Sequence, residues 1–189
     1  MVPHLAWSGH NPKPEATMSI GWAIISCGDY ADSRGAPGVN QAEGGELVAV
    51  HSRDQGRADA FADKHGAKTV YTSVEDVLAD SRIDAVYITS PNHLHVQYTT
   101  MAANAGKHVL VEKPLSLKLT EGLEVVRLCR ERGIKLGVGL HLRHHPGHIE
   151  TRRLVAEGAL GTDALAQSQI GQGERSNVHP EPRAGLRVW

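Results

Sequence analysis

The sequence predicts an α/β fold built as a doubly wound parallel sheet. Short apolar runs bounded by turns recur along residues 19–140, as buried parallel strands require. They alternate with helical patterns, which implies parallel pairing and right-handed crossovers. The motifs that could carry chemistry all fall at the carboxyl ends of the runs, where such sheets bind ligands.

Residues 19–25, SIGWAII, form the first run and end in the turn SCGDYA. Residues 46–52, ELVAVHS, form the second. Between them, 29–41 should hold only a short or broken helix, because Pro37 and Gly38 interrupt it. Residues 53–65 are Ala-rich, with Phe61 and Ala62 on one face, and read as a helix closed by Gly66. A short strand follows over 68–71. Thr72 or Ser73 then caps a helix over 74–78 with Glu75 and Asp76 in its first turn. Strands at 83–89, 108–111 and 134–140 alternate with helices at 93–104 and 119–132, closed by Gly106 and Gly133.

The 189 residues suffice for one well-buried core, but are short for two domains of about 100–200 residues each. Three parts are expected. Residues 1–17 read as a disordered extension, with Met18 as the natural start. Residues 18–140 form the dinucleotide-binding domain. Residues 141–189 form a junction and the truncated beginning of an α+β substrate domain, with a helix over 146–157, strand-like alternation over 163–170 and a polar tail. The uncovered apolar surface around 160–170 should make the chain self-associate.

A formal net charge of −1 offers no field for a polyanion, and 4% aromatic content with a single Phe offers no base-stacking platform, so nucleic acid is excluded as a partner. Two cysteines make no disulfide framework. Residues 1–18 carry no apolar signal core and no run is long enough to cross a membrane. A cytoplasmic protein without a membrane partner is expected.

The first turn, Ser26-Cys27-Gly28-Asp29-Tyr30-Ala31, is set against the fingerprint G-x-G-x-x-G/A. Gly28 fits the position that lets backbone approach a pyrophosphate, and Ala31 the small residue that lets helix and strand pack closely. Ser26 replaces the first Gly. Alone, the hexapeptide fits a plain tight turn equally well; its place after a strand, opening a βαβ unit, favours a nucleotide. The second run ends in His51-Ser52-Arg53, with Arg57 one turn on. No carboxylate for ribose hydroxyls sits at that tip, although Asp54 is adjacent. Ser52 and the two guanidinium groups suit a 2′-phosphate, so NADP is favoured over NAD; two solvated arginines are the alternative.

Two further strings, Thr89-Ser90-Pro91-Asn92-His93-Leu94-His95 and Gly106-Lys107-His108-Val109-Leu110-Val111-Glu112-Lys113-Pro114-Leu115, closely resemble the Gfo/Idh/MocA family, the glucose–fructose oxidoreductase and inositol dehydrogenase group. Leu140-His141-Leu142-Arg143 and Glu157-Gly158-Ala159-Leu160-Gly161 are similar to its domain junction. The likeness runs from 18 to about 161. Within the family, the Ser52–Arg57 spacing looks most like the 1,5-anhydro-D-fructose reductase group.

The resemblance implies an NAD(P)-dependent oxidoreductase acting on CH–OH groups of a sugar, polyol or related carbonyl. It implies Cys27, Gly28, Asp29, Tyr30 and Ala31 at the pyrophosphate, and Ser52, Arg53 and Arg57 at the adenosine phosphate. Ser90, Asn92 and His95 would lie along the nicotinamide ribose, and Glu112 and Lys113 beside the nicotinamide. Pro114, often cis in the family, would fix the loop. Trp189 is included in the cofactor-binding set. Lys113 is the catalytic candidate: a carbinol loses hydride only as its hydroxyl proton leaves, and an ammonium beside the oxygen stabilises the charge or relays the proton. A homo-oligomer is implied for the full-length parent.

Two departures stand out. Relatives often carry Asn where this chain has Gly139, and the family's second-domain Asp and His do not occur by Trp189. The competing reading is therefore a truncated or non-catalytic dinucleotide-binding protein that turns over no sugar on its own. No metal site is expected: His144 and His148 are four apart, but Pro146 lies between them and no Cys or carboxylate completes a set. Cys27 reads as a small packed residue rather than a reactive thiol.

Overall fold

β-Branched and small apolar residues dominate the strands because both faces of the sheet are covered. In the computed structural model, which describes residues 19–161, β4 (Ala85–Ile88) is wholly buried and β1 (Ile20–Ile25) is buried except at Ile20 and, in part, Trp22. With β2 (Gly45–His51), β3 (Thr69–Tyr71), β5 (His108–Val111) and β6 (Leu136–Val138) they form a six-stranded parallel sheet in the order β3-β2-β1-β4-β5-β6. Strand order reverses between β1 and β4, so the crevice for a ligand opens at their carboxyl ends.

Alternation along the strands sends neighbouring side chains to opposite layers. Ile24 and Tyr87 pack with Val39, Phe61 and Ala62 on the side of α1 (Ala36–Gln41) and α2 (Gln55–His65). Ile25, Val86 and Ile88 pack with Val74, Val77 and Ala102 on the side of α3 (Val74–Ala79) and α4 (His95–Asn104). Each fully buried branched side chain contributes about 1.5–3 kcal/mol. α5 (Leu119–Glu131) buries Val125 and Cys129.

Local signals set the helix ends. Asp54 caps α2 by accepting the Arg57 N–H at 2.7 Å, and Gly66 closes it at φ 77°. Of the two candidates for the next cap, Ser73 accepts the Asp76 N–H and Thr72 lies outside α3.

The expectation of a broken helix over 29–41 is corrected. Helical structure is continuous there, but it widens to a π turn over Ala31–Gly35, with Ala36 N–H reaching Ala31 O. An inserted residue in the turn relieves the clash that the Pro37 ring would make with a carbonyl four residues back. Strand ends are also shorter than the apolar runs. Residue Ile134 donates to Cys129 O at the end of α5, so 134–135 belong to that turn and not to β6. The 93–104 helix begins as a 3₁₀ turn, Asn92–Leu94, before α4.

The chain divides into two compact units between His141 and Leu142. In the second, α6 (Pro146–Ala156) starts with Pro146 in its first turn and His145 Nδ1 accepting the Gly147 N–H. Arg153 pairs with Glu150 and Glu157 along its surface. The expectations for residues 1–17, 163–170 and the tail lie outside the described residues. Among those described, no helix is long and apolar enough to cross a membrane.

Gly21 is the tightest point of the sheet. A Cβ there would lie 2.0 Å from Arg82 O, and the Gly21 N–H donates to Asp84 Oδ2 at 2.8 Å. Because the obstacle is backbone, Gly21→Ala should destabilise the fold at the upper end of the roughly 1–3 kcal/mol typical of overpacking. Urea denaturation measures this, and an unchanged midpoint would contradict the close approach.

Candidate dinucleotide site

The site is built where β1, β2 and β4 end. Ser26 turns the chain at φ 79°, a left-handed conformation that suits glycine, so the residue replacing the first Gly of the fingerprint takes the geometry that Gly would have taken. The N–H groups of Ser26 and Cys27 both donate to His51 O, at 3.0 and 3.1 Å, and bind the turn to the end of β2. From the other side Thr89 Oγ1 donates to Ser26 O at 2.7 Å.

The turn, the β2 tip and the β4 loop surround a cleft of about 720 Å³, within the usual range of ligand sites. Of the sequence candidates, Cys27, Gly28, Asp29, Tyr30, Ser52, Arg53, Arg57 and Ser90 line it. Gly28 is instructive: a Cβ there would meet no protein atom within 4 Å, and its φ is not left-handed. No protein contact and no left-handed backbone demands glycine at 28, and the space over it is open to the cleft. Ala31 does not reach the cleft; it is fully buried, as close helix–strand packing requires.

Cys27 is buried, and burial pushes its thiol up to about 12. It is a packed neutral group. His51 is also buried and burial depresses its pKa, so it stays neutral at the cleft wall. Asp54, whose carboxylate competes in principle for a ribose, is committed to the α2 cap, while its N–H meets Ser52 Oγ at 3.2 Å. Arg53 and Arg57 are exposed at the rim, and neither enters an ion pair among the described residues.

His95 lies elsewhere than a cofactor contact would need. It is fully buried, with Nδ1 2.6 Å from Pro114 O and Nε2 2.9 Å from Ser90 O. Both partners are carbonyl oxygens, so a neutral imidazole donates to one of them and packs against the other, between the β4 loop and the β5 loop. Asn92 is exposed on the 3₁₀ turn and does not line the cleft. Glu112 is buried, Lys113 beside it is exposed, and the Lys113–Pro114 peptide is cis. Neither Glu112 nor Lys113 lines the cleft. Trp189 lies outside the described residues.

Sequence reasoning did not select Thr89, Leu94 and Tyr98, which also line the cleft. Leu94 and Tyr98 are four apart at the start of α4, so they share a face. That spacing was readable; what hid it was the preference for polar residues as ligand contacts.

Ser26→Gly should raise stability by about 1 kcal/mol, the cost of a left-handed non-glycine residue. Chemical denaturation at fixed pH measures it. A loss of stability would show that the Ser26 side chain contributes more than its backbone costs.

The Gfo/Idh/MocA profile, an oxidoreductase family with an NAD-binding Rossmann fold, matches residues 20–140. A 1,5-anhydro-D-fructose reductase from Ensifer adhaerens is 38% identical over 146 residues, 77% of this chain and 44% of the relative. A 3-ketoreductase from Actinomadura kijaniata, solved with TDP-benzene and NADP, superimposes with a TM-score of 0.70 at 33% identity, covering 74% of this chain and 44% of that one. A scyllo-inositol dehydrogenase from Lactobacillus casei, solved with NAD(H) and scyllo-inositol, gives 0.71 at 26% identity, covering 76% and 42%. The chain thus spans less than half the length of each of these three proteins. Sheet order, the strand-end strings and the match over residues 20–140 agree: this chain belongs to the Gfo/Idh/MocA oxidoreductase family and carries its NAD-binding Rossmann fold.

Proposed function

We propose that the cleft binds NADP(H) and that the protein transfers hydride to or from a sugar, polyol or related carbonyl, with Lys113 acting at the reacting oxygen. The observation that carries the cofactor reading is the β2 tip: two guanidinium groups with no ion-pair partner among the described residues line the cleft, while one oxygen of the nearby Asp54 carboxylate is held in a helix cap. The open space over Gly28 fits a pyrophosphate beside the start of a helix, whose first N–H groups have no intrahelical acceptor. Related structures hold NADP in one case and NAD(H) in another, so the preference rests on Arg53 and Arg57 in this chain.

Bound there, the nicotinamide supplies or accepts the hydride. The rest falls to the protein. Ser52, Arg53 and Arg57 hold the adenosine phosphate, Cys27 to Tyr30 form the pyrophosphate turn, and Ser90 faces the ribose, with Asn92 on the 3₁₀ turn beyond the cleft lining. His95 is assigned a positioning role between the Ser90 and Pro114 loops. The Lys113 ammonium donates to the carbonyl oxygen and stabilises its charge during reduction; during oxidation the neutral amine form of Lys113 takes up the hydroxyl proton. Residues 18–140 are assigned as the cofactor domain and those from 141 as the beginning of the substrate domain.

A second reading, dinucleotide binding without turnover, is favoured by one observation: Lys113 is exposed and apart from the residues lining the cleft. Assaying NADPH oxidation with a panel of keto sugars separates the two. Turnover abolished by Lys113→Ala supports the enzyme, and binding without turnover supports the second reading.

Two outcomes test the cofactor site by fluorescence titration. NADPH should bind more tightly than NADH, and replacing Arg53 and Arg57 with Ala should remove the difference, each lost charged hydrogen bond costing about 1.5–3 kcal/mol. Equal affinities in the unaltered chain would overturn the NADP assignment. Gly28→Ala should weaken NADPH at least tenfold while the denaturation midpoint without cofactor stays the same or rises, because a new Cβ meets no protein atom.

A further inference from the structure

Glu112 and Lys113 are adjacent in sequence, yet no ion pair joins them among the described residues. An acidic side chain beside a solvent-exposed ammonium would ordinarily be expected to spend part of its time against it. Here both carboxylate oxygens are engaged elsewhere. Tyr87 Oη donates to Glu112 Oε1 at 2.7 Å inside the fold, and the Lys113 backbone N–H donates to Oε2 at 3.3 Å. Glu112 is only 8% exposed while the Lys113 side chain is turned to solvent.

The space Glu112 occupies exists because residue 139 has no side chain. Gly139 follows β6 and donates its N–H to Val111 O at 2.8 Å, which brings its Cα against Glu112. A Cβ at 139 would lie 2.5 Å from Oε1 and 3.0 Å from Cδ of Glu112. The carboxylate could not remain where it is. Tyr87 is thus a donor placed on β4, and Gly139 a gap placed after β6, both acting on one side chain at the end of β5.

We propose that Tyr87 and Gly139 are positioning residues that hold the Glu112 carboxylate within the fold and so keep it from pairing with the Lys113 ammonium. The consequence for chemistry rests on the hydride-transfer reading above: Lys113 keeps its N–H donors for a substrate oxygen. The charged and titratable groups around the carboxylate are few. Tyr87 comes from β4, Tyr30 from the helix after β1, and Lys113 from the same loop; β6 contributes only Gly139. Burial first, and then Glu112, raise the Tyr87 hydroxyl far above the ordinary tyrosine range, and Tyr30 is raised likewise by burial. Both therefore stay protonated, and Tyr87 remains a donor across the working pH range.

The test reads Lys113 directly. Lysine amines are dimethylated with ¹³C reagent, the Lys113 signal is identified by its disappearance in Lys113→Arg, and its pKa is followed by NMR in the full chain. Tyr87→Phe removes the donor and Gly139→Ala fills the gap, so each should free Glu112 to approach Lys113 and raise its pKa by roughly half a unit or more, as a nearby opposite charge does. Adding Glu112→Gln to either variant should return the value to that of the unaltered protein. An unmoved Lys113 titration in both variants, whatever happens to their stability, would overturn the proposal and leave Tyr87 and Gly139 as packing residues. If Tyr87→Phe does not fold, Gly139→Ala alone decides. NADPH binding is measured in the same samples: a shifted Lys113 in a chain that binds no dinucleotide would sink the functional reading and leave this inference standing.

Discussion

The carbonyl oxygen of His51 accepts two N–H groups, those of Ser26 and Cys27, and much of the site follows from that shared acceptor. The first turn cannot slide along β2 without losing both bonds. Thr89 completes the arrangement from β4 by donating through its hydroxyl to Ser26 O and through its N–H to Ile25 O. Three strand ends are thereby locked at one point, and the cleft floor is placed by sheet backbone rather than by a loose loop. The left-handed Ser26 is tolerated because these bonds over-determine its conformation.

A second lock works on the far side. His95 spans the carbonyls of Ser90 and Pro114 from within the fold, and Glu112 N–H continues the sheet by donating to Ile88 O. The loops after β4 and β5 are therefore held in a fixed relation by one imidazole and one ladder bond. The cleft and the Glu112–Lys113 loop belong to a single sheet, whose β1, β4 and β5 set the distance between them. Buried polar groups of this kind are costly when unpaired. Glu112 is tolerated inside because it accepts from Tyr87 and from the Lys113 N–H, and His95 because its ring meets backbone carbonyls.

Strand and helix alternation was plain in the sequence, since fully buried strands read as unbroken apolar runs and the helices end in glycine. What escaped was geometry that no periodicity encodes. Pro37 read as a helix breaker, whereas a π turn over Ala31–Gly35 accommodates it. The string from Thr89 to His95 reads as a row of cofactor contacts, yet the helix it enters turns neighbouring residues in different directions: Leu94 and, one turn on, Tyr98 line the cleft, while His95 and Thr99 are buried. A motif records which residues matter together and does not record which side each one points to. Likewise Gly139 read only as a departure from the Asn that relatives often carry, and only the position of Glu112 beside it reveals a space that any side chain would fill.

The β2 tip shows how a structural demand can decide a chemical one. An acidic residue at that place would suit ribose hydroxyls, and Asp54 is one step from it. But the start of α2 leaves N–H groups without partners, and Asp54 satisfies the one on Arg57. Asp54 still lines the cleft, but the bond its Oδ1 accepts anchors the first turn, from which Arg57 projects. Asp54 also receives part of its fixing from Ser52 Oγ, which accepts its N–H while keeping a hydroxyl hydrogen to donate. The tip therefore brings a hydroxyl, two guanidinium groups and a carboxylate with one capped oxygen to the same stretch of cleft wall.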